Sequence, residues 1–494
     1  MLSAAIFVPL VGAGVVALLP ASWARRARPL AIAVAAVPLV LLLAAWARFD
    51  PDGGAGFQLV ERARWIPTLG VSYAVGVDGL SLPLAAMSAL LFVAAIAFPA
   101  DVRGRPRTYF SLFLFLEAIS LGVFLALDLF LFYVFFDLSL VGMYFLIAAW
   151  GHGDARRAAL KFFLYTLAGS LAMLLAILGL YLATEPRTFD MVEIIRQQPV
   201  PAGGLGSALV LLGFALGFAV KTPIVPFHTW LPPAHVDAPA PASAILAGVL
   251  LKMGTYGFVR IVLSMLPATF QRFAPVVAGF AVASIVYGAL VALAQTNLKR
   301  LIAYTSVNHM GYVMLGVAAA GSSLTGDGGP RAIALTGATV EMVAHGLITG
   351  ALFLLAGSVW ARAETYDLDA FSGLAARAPA FTAATVLAAF ASLGLPGLAG
   401  FVAEFQVFAG TFAVYPVLAG IGLLGIVLTA ALFLRMVQAV FLGPLPERWA
   451  TWPDINRTEQ AALAPLLALV VVIGVAPGWL LDVIDATAGR LVGR

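Results

Sequence analysis

The 494-residue sequence contains no cysteine. Thiolate-held iron–sulfur clusters, disulfides and thiol catalysis are therefore excluded from this chain. Charge is scarce as well. Asp, Glu, Lys and Arg make up 11% of the residues, where a soluble globular chain has about 25%. No Walker loop is present, and the glycine clusters GAGVVA (12–17) and DGGAGF (52–57) lack the strand–turn–helix setting of a dinucleotide site. Lysine is the rarest basic residue: of 28 Lys and Arg, the lysines are Lys161, Lys221, Lys252 and Lys299 only. The net charge of +4 comes from arginines at the ends of apolar runs, which argues against a nucleic-acid partner.

What the chain has in abundance is apolar sequence, 62% of all residues. Runs of about 18 residues or more recur along its length, each able to cross ~30 Å of hydrocarbon as a helix. The reading is an all-α polytopic membrane protein of about fourteen spans. They are expected near 2–20, 29–47, 77–99, 108–127, 129–150, 158–183, 206–230, 240–265, 274–295, 298–320, 332–359, 378–411, 413–440 and 460–484. The first run is followed by Arg25, Arg26 and Arg28 and lacks a basic leader, so it reads as a retained span and not a cleavable signal. With no long linker, residues 1–494 form a single membrane domain. A moderate excess of Lys and Arg in alternate loops puts both termini on the non-cytoplasmic side.

Two spans are interrupted. Span 7 breaks at KTPIVPFHTWLPP and span 12 at SLGLPGLAGFVAEF, with Lys221 beside one break and Glu404 beside the other. Paired broken helices in matching positions of two halves point to an ion pathway built from inverted repeats, here two five-helix units at 108–265 and 274–440, followed by a C-terminal span at 460–484. Ordinary proline kinks are the plainer reading, but they leave the adjacent charges unexplained.

The retained lysines matter because burial can make lysine release a proton, whereas arginine stays charged. Lys252 falls near the middle of span 8, where a charged lysine costs roughly 2.5–3.5 kcal/mol on insertion scales. Lys221 lies just before the first break, where snorkelling along the kink is the alternative. Lys299 is nearer a span end and reads as an anchor, and Lys161 as anchor or relay. Asp137, His309, His345 and Glu404 lie at similar depth, with Glu117, His228 and Glu341 as accessory candidates. Glu341 and His345 share one helix face. Such arrays mark proton relays. No two of these histidines have metal-ligand spacing, so no metal site is expected.

At these residues the chain resembles a known family, the antiporter-like proton-pumping subunits of respiratory complex I and its relatives, the M chains of bacterial NADH–quinone oxidoreductase above all. The resemblance rests on MYFLIAAWG, ALKFFLYTLAGSLAMLLAI, FAVKTPIVPFHTWLPPAHVDAPAPASAILAGVLLKMGTYGFVR, LKRLIAYTSVNHMGYV and SLGLPGLAGFVAEF, and covers most of residues 70–480. It implies a translocase subunit of the bacterial cytoplasmic membrane with no redox site of its own. NADH, FMN, iron–sulfur clusters and quinone would sit on partner subunits, with L-like and N-like membrane subunits on either side. It also implies the roles: Asp137 paired with Lys221, Lys252 as the connecting lysine, His309 and His345 as relays, and Glu404 as the exit-side acid. Family members usually carry glutamate at position 137. Aspartate is shorter by about 1.5 Å of reach, so the pair is expected to be weaker or water-bridged. A subunit of a multi-chain cation/proton antiporter and an inert membrane scaffold are the competing readings.

Overall fold

The computed structural model describes residues 1–51, 53 and 56–493. Half of the DGGAGF cluster thus lies outside the described residues. Among the described residues, nine helices are long and apolar enough to cross a membrane, and shorter apolar helices accompany them. The chain is a multi-pass, all-helical membrane protein with one small sheet.

Helices α1 (Leu2–Leu18) and α2 (Ala27–Trp46) lead into the hairpin β1 (Gln58–Ile66) and β2 (Val71–Val77). The strands run antiparallel, with Glu61 opposite Val75 and Ala63 opposite Tyr73. This hairpin occupies a segment that the sequence reading left as a loop. Next come α3 (Ser81–Ala97), α4 (Pro106–Leu125), α5 (Leu129–Trp150) and α6 (Ala155–Ala183). Asp128 caps α5 by accepting from the backbone N–H groups of Phe130 and Leu131. It also accepts from Ser72, which ties the hairpin to the bundle. A short helix, α7 (Met191–Gln197), precedes the first broken element, α8 (Leu205–Lys221) and α9 (Leu231–Asp237). Helices α10 (Ala240–Leu263), α11 (Pro267–Leu293), α12 (Leu298–Ala320) and α13 (Gly328–Ala363) follow. The second broken element is α14 (Pro379–Ser392) and α15 (Ala399–Val414). The chain ends with α16 (Pro416–Phe441), α17 (Arg457–Val475) and α18 (Gly478–Leu491). The last expected span, 460–484, is therefore corrected. Its helix stops at Val475, and α18 starts anew after Pro477, because proline cannot continue the ladder of α17.

Burial sorts the helices. The apolar windows of α10 and α13 are 100% buried, against 33% in α16 and α17. Helices α10 and α13 are thus the protein-facing axis, and they carry Lys252, Glu341 and His345. Charged and imidazole side chains are tolerated there because lipid does not reach them.

The freed backbone at the first break finds side-chain partners, as a non-helical segment at membrane depth requires. At the first, the Trp230 indole donates to the Val220 carbonyl at 2.9 Å, and Val225 N–H donates to Ser284 at 2.9 Å. Lys161 donates to the Thr229 carbonyl at 2.7 Å. At the second, Gly394 and Gly397 have φ of 76° and 91°, in the left-handed region that other residues avoid.

Candidate functional site

The helix α8 ends at Lys221, so the lysine occupies the last turn before the break and is 1% exposed. Its ammonium donates to Ser139 Oγ at 2.9 Å and lies 4.9 Å from the Phe136 ring centroid. Both partners belong to α5, which also carries Asp137. The pair was expected to be weak or water-bridged, and among the described residues Asp137 and Lys221 make no direct ion pair. Ser139 fills the place instead, and the Asp137 charge still acts on Lys221 through space. Asp137 Oδ1 has no partner, while Tyr133, one turn earlier, is within bonding reach of the carboxylate. The short aspartate side chain accounts for the gap.

Lys252 is fully buried in α10, with π-helical turns at Leu246–Leu250 and Phe258–Leu263 on either side. Such widened turns are frequent at functional sites. Its ammonium meets the Ala247 carbonyl at 2.6 Å and His345 Nδ1 at 2.6 Å. When Lys252 carries its proton, His345 Nδ1 accepts and the ring proton sits on Nε2, which faces Ser306 Oγ at 3.2 Å. The His345 and His309 ring centroids are 5.4 Å apart. His309 Nδ1 lies 3.0 Å from Glu341 Oε1 and 3.8 Å from Glu404 Oε1, and its Nε2 lies 3.1 Å from Ser392 Oγ. Lys252, His345, His309, Glu341 and Glu404 therefore form one buried chain reaching the second break. Glu341, an accessory candidate in the sequence, joins it through His309.

Between the two lysines the contact is intimate but unbonded. A Cβ at Gly254 would stand 2.4 Å from Thr222 Oγ1 and 2.8 Å from the Phe218 carbonyl, so α10 needs glycine there to meet α8. The Thr222 hydroxyl is buried at this contact without a partner.

The remaining candidates are more dispersed. Lys299, expected to be an anchor, is fully buried; it donates to the Ala238 carbonyl at 2.6 Å and lies over the Tyr366 ring. Lys161 is exposed and serves the first break, as above. His228 packs against Tyr287, and its Nδ1 lacks a partner. Glu117 is buried in α4 with both carboxyl oxygens unpartnered. His235 was missed. It lies in α9 just past a double proline, stacks on Phe353 at 4.5 Å, and has two partnerless ring nitrogens. The charges of both Lys299 and Lys252 act on it. Its presence in PPAH, directly before the lysine helix, was the available signal. Outside the spans, His152 stacks on Trp360 at 4.1 Å. Burial first, then the charges of Lys299 and Arg103, lower its pKa to about 4, so it is neutral near pH 7.

Among the described residues, no group of three or more potential metal ligands converges. What converges is a series of groups that each bind and release protons, held within a water-poor core. That chemistry suits proton passage in an antiporter-like membrane subunit.

Comparison with known proteins agrees. A family model described as "NADH:quinone oxidoreductase/Mrp antiporter, TM" matches residues 126–429. The chain is 39% identical to NADH-quinone oxidoreductase subunit M of Rhodobacter capsulatus, covering 100% of this chain and 96% of that one. It is likewise 39% identical to subunit M of Pseudomonas aeruginosa, covering 94% and 93%. Among solved structures, a chain of respiratory complex I from Thermus thermophilus superposes with a TM-score of 0.88 at 32% identity, over the whole of both chains. A chain of the Mrp complex from Dietzia sp. gives 0.86 at 24% identity over 99% and 97%, a likeness of fold. The chain belongs to the membrane-subunit family shared by NADH:quinone oxidoreductases and Mrp antiporters, as a subunit-M-like, non-catalytic member of a proton-translocating complex.

Proposed function

We propose that this chain is the proton-translocating subunit M of an NADH–quinone oxidoreductase, driven by quinone reduction elsewhere in the complex. The observation that carries the reading is the buried chain from Lys252 through His345, His309 and Glu341 to Glu404. In this reading Asp137 and Lys221 form the switch, Lys252 the link, and Glu404 the acid that passes the proton on. His235 and Lys299 extend the chain from Lys252 toward the His152 end of the bundle. Glu117, Lys161 and His228 are accessory.

The architecture in this reading is fourteen spans with two inverted repeats, 108–265 and 274–440. Supporting it, α8/α9 and α14/α15 break at corresponding places, one beside a lysine and the other beside a glutamate. The membrane is the bacterial cytoplasmic one, with both termini and the hairpin outside. L-like and N-like subunits flank the chain. The alternative, a multi-subunit cation/proton antiporter, is favoured by the fold likeness to the Mrp complex.

The test is NADH-driven acidification of inverted membrane vesicles with the terminal oxidase blocked and quinone supplied. Wild type is compared with Lys221→Arg in assembled complex. Arginine keeps the charge and forfeits proton release. Wild type is expected to acidify and the variant to do so at least about tenfold more slowly, within the range of a lost proton-transfer group. Equal acidification makes Lys221 a structural cation. No response of wild type to NADH moves the antiporter reading to the front.

A further inference from the structure

At the end of the bundle that carries the hairpin, a cavity of about 430 Å³ lies between β1, α7, the last turn of α10 and α18. That volume falls within the range of about 300–1,000 Å³ typical of small-ligand sites. Three arginines from three of these elements line it: Arg62 of β1, Arg260 of α10 and Arg490 of α18. Asp78, just ahead of α3, is the single acid of the lining among the described residues. Val60, Val192, Ile195 and Leu491 supply apolar wall, and Val60 and Val192 are 46% and 44% exposed at its mouth.

The guanidinium groups hold more donors than their neighbours use. Arg260 is 2% exposed; its Nε donates to the Tyr256 hydroxyl at 3.0 Å and its Nη2 to Asp78. Its Nη1 makes no hydrogen bond among the described residues, and the Phe57 ring centroid lies 4.7 Å from the guanidinium carbon. Arg62 gives only Nη1, to Asp190, and leaves Nε and Nη2 open among the described residues. Arg490 donates to Thr487 Oγ1 at 3.2 Å and to the Pro51 carbonyl at 3.4 Å, and it pairs with no carboxylate among the described residues. Both acids are already engaged at each oxygen. Asp78 Oδ1 accepts from the Leu80 and Ser81 N–H groups and Asp190 Oδ1 from those of Val192 and Glu193, while the second oxygen of each takes its arginine. Among the described residues the cavity therefore keeps an excess of one positive charge and several open N–H donors. A buried donor left unpaired is costly. The guanidinium fork matches the oxygens of a phosphate.

The cavity lies at the depth of lipid headgroups. Arg260 stands in the last turn of the α10 span. Trp46, Trp65 and Trp479 stand at the same end of the bundle, Trp46 and Trp479 with ring centroids 5.5 Å apart. Tryptophan gathers at the boundary between membrane and water. We infer that this cavity is a phosphate-binding site that takes the headgroup of an anionic phospholipid. The phosphodiester brings one negative charge to the excess positive charge, and its oxygens accept from the open guanidinium donors. The apolar wall holds the glycerol and the start of the acyl chains, which leave toward the bilayer past Val60 and Val192. One bound headgroup thereby joins the hairpin and α18 to the end of α10. This inference does not depend on the proposed proton translocation.

The test uses the assembled complex in nanodiscs of phosphatidylcholine. The probe is a phosphatidylglycerol with a photoactivatable group near its glycerol backbone, and cross-linked peptides are read by mass. Label is expected on segments 56–62, 191–197 and 484–491 of this chain. Arg490→Gln is expected to take about fivefold less label there, the scale of one arginine facing an anionic lipid. Arg490→Lys keeps the charge and is expected to recover most of the label. Arg272→Gln, exposed at the same end of the bundle and outside the cavity, is expected to match wild type. Excess inorganic phosphate is expected to leave the label in place; displacement by millimolar phosphate would assign the site to a soluble anion and overturn the lipid. Equal labelling by a phosphatidylcholine analogue, or equal labelling of wild type and Arg490→Gln, would reduce the site to an unselective lipid contact. Label confined to other segments would mean that a neighbouring subunit fills the cavity. Each of these last results overturns the proposal.

Discussion

The two lysines at the heart of the molecule are equally buried and differently bonded. Lys252 bonds His345, whose ring lies 5.4 Å from that of His309, and His309 in turn meets Glu341 and Glu404. Lys221 touches a serine and an aromatic ring, while the carboxylate that should pair with it stands off with one oxygen free. A run of neighbouring proton-binding groups suits passage of a proton. An open pair holds or releases its proton according to how near the carboxylate comes, since a nearby opposite charge favours the protonated lysine. Under the proposed function, the series that starts at Lys252 suits transmission and the Lys221–Asp137 pair suits control.

The comparison breaks most sharply at Glu341. Its Oε1 holds His309 at 3.0 Å, and its Oε2 has no partner. Glu341→Gln preserves shape and removes the exchangeable proton. Acidification by vesicles is expected to fall by about 10²-fold, the lower range for loss of a positioned acid–base group, with assembly unchanged on native gels. A drop of less than about twofold would show that His309 passes its proton to Glu404 without Glu341. The closed chain would then be two parallel branches. Asp137→Glu tests the other half with a smaller expected effect. The added methylene supplies about 1.5 Å of reach, enough to replace Ser139 as the partner of Lys221. Acidification is expected to change by about threefold, as a single hydrogen bond is exchanged for an ion pair. The carboxylate infrared band should become sensitive to Lys221→Arg in the glutamate background and remain insensitive in wild type. Sensitivity in both would mean that Asp137 already pairs with Lys221 in solution.

Much of this contrast was legible in the sequence, because membranes penalise polar groups at depth and so make each one conspicuous. The rarity of lysine singled out Lys221 and Lys252, and the two proline–glycine interruptions located the breaks. Bonding between distant helices was not legible. Ser139 is an ordinary residue of an apolar run, and nothing local says that it displaces Asp137. Glu341 looked secondary because its role depends on His309, which lies 32 residues away. Lys299 looked like an anchor because distance from a span end does not reveal that Ala238 and Tyr366 enclose it. The hairpin escaped notice because β1 shows no clean alternation, with Arg62 to Trp65 exposed in succession, and no apolar run marks the segment; a two-stranded ribbon also needs its neighbours to persist. Asp128 supplies that support, since it joins Ser72 to the first turn of α5.

The smallest expected effect extends the contrast to a carboxylate outside the spans. Glu61 on β1 accepts from the N-terminal ammonium and from the backbone N–H groups of Leu2 at 2.9 Å and Ser3 at 3.0 Å. Burial pushes its pKa up, but these bonds outweigh burial and bring it down from 4.5 to about 2. The folded value is depressed, so the stabilisation is fully present above about 4.5 and is lost as pH falls toward about 2. Amide hydrogen exchange at Leu2 and Ser3, in protein held in nanodiscs, should show protection relative to Glu61→Gln that is constant above pH 4.5 and shrinks below it. The group is partly exposed to solvent, so screening keeps the effect local to the start of α1 and to the hairpin. Protection that persists unchanged on acidification would mean that the backbone of α1 holds the hairpin without this charge. Asp137 would then be left as a carboxylate whose loose bonding sets it apart from Glu341 alone.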